Sequence, residues 1–457
     1  MKISYTLSDI AGFNEVLCEN TNANANTNYF TVSEYSTKSN EKYKIVRYNK
    51  DILAVDLIPS YGLLRSVIIN SLGKVIGFAP PKSLPADQFL QKYSIQNEYV
   101  CVQEFVEGTM INVFYDDSIS DWKIATRNTV DAEVSFYQKT DGKTFNVMFR
   151  EACQQNNFNF ETLNQKFCYS FVLQHPDNRI VVPFKTPQLY LVEVYMIVQS
   201  SPVTDGLVQS SPKTDGLVQS SPVTDGLVQS SPKTDGLVQS SPKTDSPTTV
   251  DIVPQNLALV KANGEWSQTT IKFPETYVVP TYSELIEIFA SANTPYNIMG
   301  IVIKNVVTNE RTKIRNPIYE EIRHLKGNHC KLQYQYLTLR KEGKLPEFLK
   351  YYPESKKDFS ECRNQVHMFT NALHQNYMAC YIRKEKPLSE FGPQYRTHMY
   401  KIHEQYINVL KPNNFYVNNT IVQKYVNNLH PSLLMHGLNF HLRKQNVDTI
   451  KATNINI

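Results

Sequence analysis

Two short stretches carry the residues best suited to chemistry. The first is YVCVQEFVEGTMI, Tyr99 to Ile111, where an apolar strand-like run ends at Glu107-Gly108 and a second run, Met110 to Tyr115, follows. A glycine between strands lets backbones approach closely, so such an element can hold one side chain at the mouth of a pocket. The second is TKIRN, in which Lys313 and Arg315 alternate onto one face of a strand. Two cations on one face suit a phosphate, whether from a nucleotide or from a nucleic-acid backbone. Other chemistries lack their signatures: the chain has no GxxxxGK[ST], no GxSxG, no HExxH and no aromatic RNA-binding signature of the RRM type.

The elements that must position these residues are short and β-rich at first. From Tyr43, the segments YKIVRY, ILAVDLI, LLRSVIIN and KVIGFAPPK alternate with turn residues and predict an antiparallel meander. Met110–Tyr115 and WKIATR, joined by DDSISD, predict a hairpin. The spacing of Phe145, Met148, Phe149 and Ala152 predicts a helix over 144–154. Strands are expected at Phe167–Leu173, Ile180–Phe184 and Leu189–Val198, then a helix at Tyr282–Ser291 and a strand at Ile298–Val307. Asn316-Pro317 reads as a helix cap followed by proline at the first helical position. Helical spacing then persists through Ile322, Leu339, Phe369, Tyr377 and Tyr406, so residues 317–440 are read as an all-helical domain.

A chain of 457 residues, 41% hydrophobic and 20% charged, is long enough for several globular domains. Its net charge of +4 is unevenly placed, since Arg311 to Lys344 holds nine Lys/Arg against three Glu. Such a stretch is either a polyanion contact or a solvated helical face. The seven cysteines are scattered without a CxxC pair, which argues against a disulfide framework or zinc site and for a reducing compartment, the cytoplasm. Neither a signal-peptide core nor a membrane span is expected. Residues 1–40, with an Asn-rich patch, are read as an N-terminal arm and 441–457 as a tail. From Ser201 the decapeptide SPVTDGLVQS or SPKTDGLVQS recurs with almost no drift. Packed repeats diverge, so 199–249 is read as a disordered Ser-Pro insert expanded within the 41–316 domain, its flanking strands remaining neighbours.

In order and spacing, these segments resemble the covalent nucleotidyltransferase superfamily, in particular the phage-type ATP-dependent RNA ligases with a C-terminal helical domain. LLRSVIINSLGKVIGFAPPKSL resembles the stretch that brings an arginine and a lysine, here Arg65 and Lys82, toward the nucleotide. EFVEGTMINVF resembles the Lys-x-Asp-Gly nucleophile motif, with Glu107-Gly108 for Asp-Gly, and WKIATR the next strand, which places Arg127. HPDNRIVV resembles the Pro-x-Asn-Arg-Ile-Val segment that holds Arg179, NIMGIVIKN the Glu-Gly-Val-Val motif, and TKIRN the Lys-x-Lys motif. The resemblance implies an α+β fold: a nucleotidyltransferase domain of ATP-grasp-like antiparallel sheets with helices, followed by an all-α C-terminal domain. It also implies nucleotide or phosphate binding by Arg65, Lys82, Glu107, Gly108, Arg127, Arg179, Lys313 and Arg315. The AT-type composition and the tandem repeat fit a protein of a large DNA virus.

The departures from the pattern form a set. Phe105 stands where the nucleophilic lysine is expected, and Val172 and Met299 stand where two carboxylates are expected. Lysine attack on ATP needs an amine, and a divalent metal on the leaving pyrophosphate; a hard metal in turn needs carboxylate oxygens. The expectation is therefore an RNA-ligase-fold protein that has lost covalent adenylyl transfer and binds RNA or nucleotide phosphates through a basic pocket and the helical domain. No metal or cofactor is assigned on that reading. ATP and Mg return under the alternative, an active ligase using Lys123 or Lys304 as nucleophile. A third reading is a scaffold that uses its tyrosine-rich helical domain for protein contacts.

Overall fold

The computed structural model describes residues 4–17, 28–135, 142–200, 248–328 and 331–443. The repeat and nearly all of the tail read from the sequence lie outside the described residues. Among the described residues the strands form three antiparallel sheets. The largest runs, in order, Tyr5–Thr6, Thr249–Pro254, Gln188–Ser200, Phe167–Gln174, Thr109–Asp116 and Asp121–Ala125. Its central strand, FCYSFVLQ, is buried on both faces. Tyr169, Phe171 and Leu173 pack with Phe149 and Ala152 of the helix Phe145–Gln155 on one side. Cys168 packs with Phe114, Ile68 and Ile76 on the other, where the sheet Phe30–Ser36, Lys42–Tyr48, Val67–Ile69 and Val75–Phe78 lies. A strand covered on both sides loses its polar alternation, and this one has done so. The strands that bracket the repeat pair with each other, Ser200 opposite Thr249.

The smaller sheet positions the site. Its order is Thr276–Tyr277, Val100–Glu104, Gly300–Asn305 and Arg311–Arg315. Alternation gives it an apolar back, where Val102, Ile301 and Ile303 meet Phe89 of the helix Ala86–Lys92 and Leu285 of the helix Tyr282–Phe289. Burying Phe89 and Leu285 there contributes roughly 2 kcal/mol each. The other face carries Gln103, Gly300, Val302, Lys304, Arg311, Lys313 and Arg315, with Val302 opposite Lys313 and Gly300 opposite Arg315. The outermost strand is anchored at its back by Thr312, whose hydroxyl donates to the Leu84 carbonyl at 2.9 Å.

The helical region follows without a linker. Asn316 caps the helix Pro317–Lys326, accepting from the Ile318 N–H at 2.9 Å while its amide donates to the Pro295 and Ile298 carbonyls, also at 2.9 Å. Further helices, among them Leu332–Glu342, Lys356–Tyr377, Pro393–Gln405 and Asn419–Asn428, enclose a core of Tyr336, Phe359, Leu373, Met399 and Val422. Val181, from the sheet-bearing part of the chain, is buried in that same core. No described helix is long and apolar enough to cross a membrane.

Two sequence readings are corrected. Residues 4–17 and 28–40 are not a loose arm: Tyr5–Thr6 pairs with Thr249–Pro254, and Leu7, Phe13, Val16 and Phe30 are buried in one core with Val67 and Val250. Elements of two to seven residues are too short to show periodicity. Ile180–Phe184, read as a strand, has no strand partner among the described residues; two of its N–H groups are taken by a side chain instead.

Candidate phosphate-binding site

Phe105 follows directly on the strand Val100–Glu104, its N–H donating to the Gly300 carbonyl at 3.2 Å. Across the sheet the row thus reads Phe105, Gly300, Arg315. Gly300 has φ 129°, and an added Cβ would collide with the Ile314 carbonyl oxygen. The missing side chain lets the two outer residues meet across it. The Lys313 Nζ lies 4.7 Å and the Arg315 Cζ 5.6 Å from the Phe105 ring centroid, a double cation–π contact.

Further cations close around Lys313. Desolvation, then the charges of Arg311, Arg65, Arg315 and Lys82, push its amine well below the ordinary lysine range. Arg65 is held down to about 10, chiefly by desolvation, with Arg311 and Arg127 adding repulsion. Lys82 is exposed, whereas Arg311 is buried, with Nη2 donating to the Pro81 carbonyl at 2.5 Å and Nη1 3.5 Å from Glu193. Arg315 shares Glu320 with Arg323, at 2.9 and 2.8 Å. Among the described residues no carboxylate lies within ion-pair distance of Lys313 or Lys82.

The structure brings Arg65, Lys82 and Arg315 around Lys313, with Phe105 against Lys313 and Arg315, and sets Arg127 beside Arg65. The Arg127 guanidinium lies over the Tyr48 ring at 5.3 Å, and its Nε donates to the Arg65 carbonyl at 3.4 Å. Three expected members serve elsewhere. Arg179 is spent on the helical region, with Nη1 on Glu354 at 2.7 Å, Nη2 on the Tyr351 carbonyl at 2.7 Å and its guanidinium over Tyr352. Glu107 is buried and accepts from the Val181 and Val182 N–H groups at 2.8 and 3.0 Å; burial raises its carboxyl and those N–H groups oppose the rise. Gly108 has a packing role at φ 150°, where a Cβ would stand 2.5 Å from the Leu173 oxygen and 2.6 Å from Val172 Cγ1. Arg311 is the member that sequence reasoning missed; its place two residues before Lys313, on the same strand face, was the available signal.

Phe105, Val172 and Met299 lie in separate surroundings. Val172 is buried with Val106 and Tyr190, and Met299 packs against the helical core. The lysines weighed as substitute nucleophiles are both ion-paired. Lys123 sits 2.8 Å from Glu41, 3.3 Å from Asp121 and 3.6 Å from Asp131, and Lys304 sits 2.8 Å from Glu193. The residues present do not fit a magnesium ion: the carboxylates beside the cations, Glu193 and Glu320, are each shared by two cations, and Glu107 is committed to backbone N–H groups elsewhere. No group of three or more His, Cys, Asp or Glu among the described residues could hold a metal.

No family model matches the chain. It is similar to an RNA ligase of Rhodothermus phage RM378, 32% identical over 98 residues, which are 20% of this chain and 22% of that protein. The match therefore spans about a fifth of the relative's length. Among solved structures, form 2 of an archaeal ATP-dependent RNA ligase is 10% identical with a TM-score of 0.33, over 74% of this chain and 76% of that one. Form 1 is 9% identical with a TM-score of 0.28, over 92% and 76%. The sequence match supports an RNA-ligase-like fold.

Proposed function

We propose that this protein binds nucleotide or RNA phosphates in the basic pocket around Phe105 and has lost covalent adenylyl transfer. The observation that carries the reading is the surroundings of Lys313: four further cations, an aromatic ring, and, among the described residues, no carboxylate within ion-pair distance of its own amine. Unneutralised, desolvated positive charge is unfavourable for folding alone, and an anionic ligand relieves it. Phe105 has no nitrogen to attack an α-phosphate, and Val172 and Met299 sit in apolar packing that offers a metal no oxygen. The basic run from Arg311 to Lys344 starts in the pocket and continues along the helical region, which suits an RNA that enters the pocket by its phosphorylated end.

Incubation with α-labelled ATP and Mg²⁺ or Mn²⁺, followed by denaturation, should leave the protein unlabelled; a labelled band overturns the loss of transfer. Titration with 5′-phosphorylated RNA at two salt concentrations should show binding that weakens steeply with salt. Absent or salt-independent binding overturns the phosphate reading and favours a scaffold.

A further inference from the structure

We propose that the pocket takes a polyphosphate chain free of metal, so that magnesium opposes binding instead of supporting it. This rests on the phosphate-binding reading above and deepens it by naming the ligand's form. In the RNA-ligase pattern, the metal shields the phosphates and the protein's carboxylates hold the metal. Here both carboxylate positions are apolar and turned into packing, and the charge balance has moved the other way. Arg311, Lys313 and Arg315 share one strand face, Arg65 and Arg311 donate to the Pro80 and Pro81 carbonyls just before Lys82, and the charges of Arg65, Lys82, Arg311 and Arg315 all act on Lys313. Among the described residues only two carboxylates touch any of them, Glu193 and Glu320, and each is shared with a further cation, Lys304 or Arg323. The pocket is thus left with more positive charge than a single phosphate diester can balance.

A metal-free triphosphate carries more negative charge than its magnesium complex, and every non-bridging oxygen is open to a donor. The donors around Lys313 are of the matching kind. Arg315 offers guanidinium N–H groups beyond the one on Glu320, and Lys82 offers an ammonium without an ion-pair partner among the described residues. Lys313 offers its amine from the face of an aromatic ring. Buried Arg311 has an Nε with no hydrogen-bond partner. A hydrated Mg²⁺ brought in with the ligand would meet these cations with nothing to hold it, and its own charge would cancel the attraction.

Calorimetric titration of the full chain with ATP and with inorganic tripolyphosphate, in EDTA and again in excess Mg²⁺, tests this. The expected result is binding in EDTA that weakens by about tenfold or more when Mg²⁺ complexes the ligand. Tripolyphosphate alone reproducing that response assigns the site to the phosphate chain, and ATP alone reproducing it assigns the site to a nucleotide. Lys82→Ala, at an exposed position, should cut affinity in EDTA by about fivefold with an unchanged thermal transition. Equal or tighter binding with Mg²⁺ overturns this inference and leaves the phosphate-binding reading standing. No binding of either ligand in either condition overturns both.

Discussion

Two lysines on two sheets of this molecule have opposite surroundings. Lys123, on the edge strand of the largest sheet, has three carboxylates within 3.6 Å. Burial pulls its amine down, but the bond to Glu41 and the charges of Asp131 and Glu41 outweigh that, and the net displacement is upward. Lys313, on the edge strand of the smaller sheet, is surrounded by cations and displaced downward. The first is a charge the fold has neutralised for its own sake. The second is a charge the fold tolerates without neutralising, at a cost in stability. The phosphate ligand proposed for this site would offset that cost.

Lys123→Met strands Glu41 and Asp131 beside a buried methionine and should destabilise by about 3 kcal/mol in denaturant unfolding. A loss within the noise would remove the contrast. Glu193→Gln should convert the Lys304–Arg311 arrangement into an unneutralised one like that at Lys313, at a cost of about 2 kcal/mol. The same change should leave RNA or polyphosphate affinity equal or higher, since it adds to the field of the pocket. Lys313→Met should do the reverse, gaining about 1 kcal/mol while losing phosphate affinity.

The smallest effect sharpens the contrast by its sign. The folded value of Lys313 lies below the ordinary 10.5, so between the two the unfolded chain binds more protons and stability rises with pH. The Lys123 value is raised, so its contribution is complete below 10.5 and is lost as pH climbs through the folded value. Stability followed from neutral pH upward should therefore show a gain that Lys313→Met abolishes, then a fall that Lys123→Met abolishes. Slopes unaffected by either change would show that neither lysine is displaced as described.

What the sequence made legible was local. Asn316-Pro317 marks the start of its helix because cap and proline act through immediate neighbours. Lys313 and Arg315 share a face because strand alternation needs no long-range information. Phe105 could be placed by its spacing to Gly108, but that two cations would settle on its ring depends on Gly300, nearly two hundred residues away in the chain. Arg179 and Glu107 were misplaced for a related reason. Both belong to segments that run near the pocket, yet Glu354, Tyr351 and the Val181 and Val182 N–H groups decide where they point. Ile180–Phe184 has strand-like composition but no free strand edge beside it, and propensity yields where pairing is absent. The buried residues before Asn40 show that two strand residues can be held in a sheet by their partners alone.

Asn316 has a mechanical consequence. It is the only residue between the last strand residue of the smaller sheet, Arg315, and the first residue of the helical region, Pro317. Its side chain is buried and fastened at both ends of the join, to Ile318 on one side and to the 294–298 loop on the other. Turning at this joint would break those hydrogen bonds. A partner that pulls on the first helix of the all-α region pulls on Arg315 through a single peptide unit, so load applied to one region arrives at the other undamped, like torque through a welded shaft.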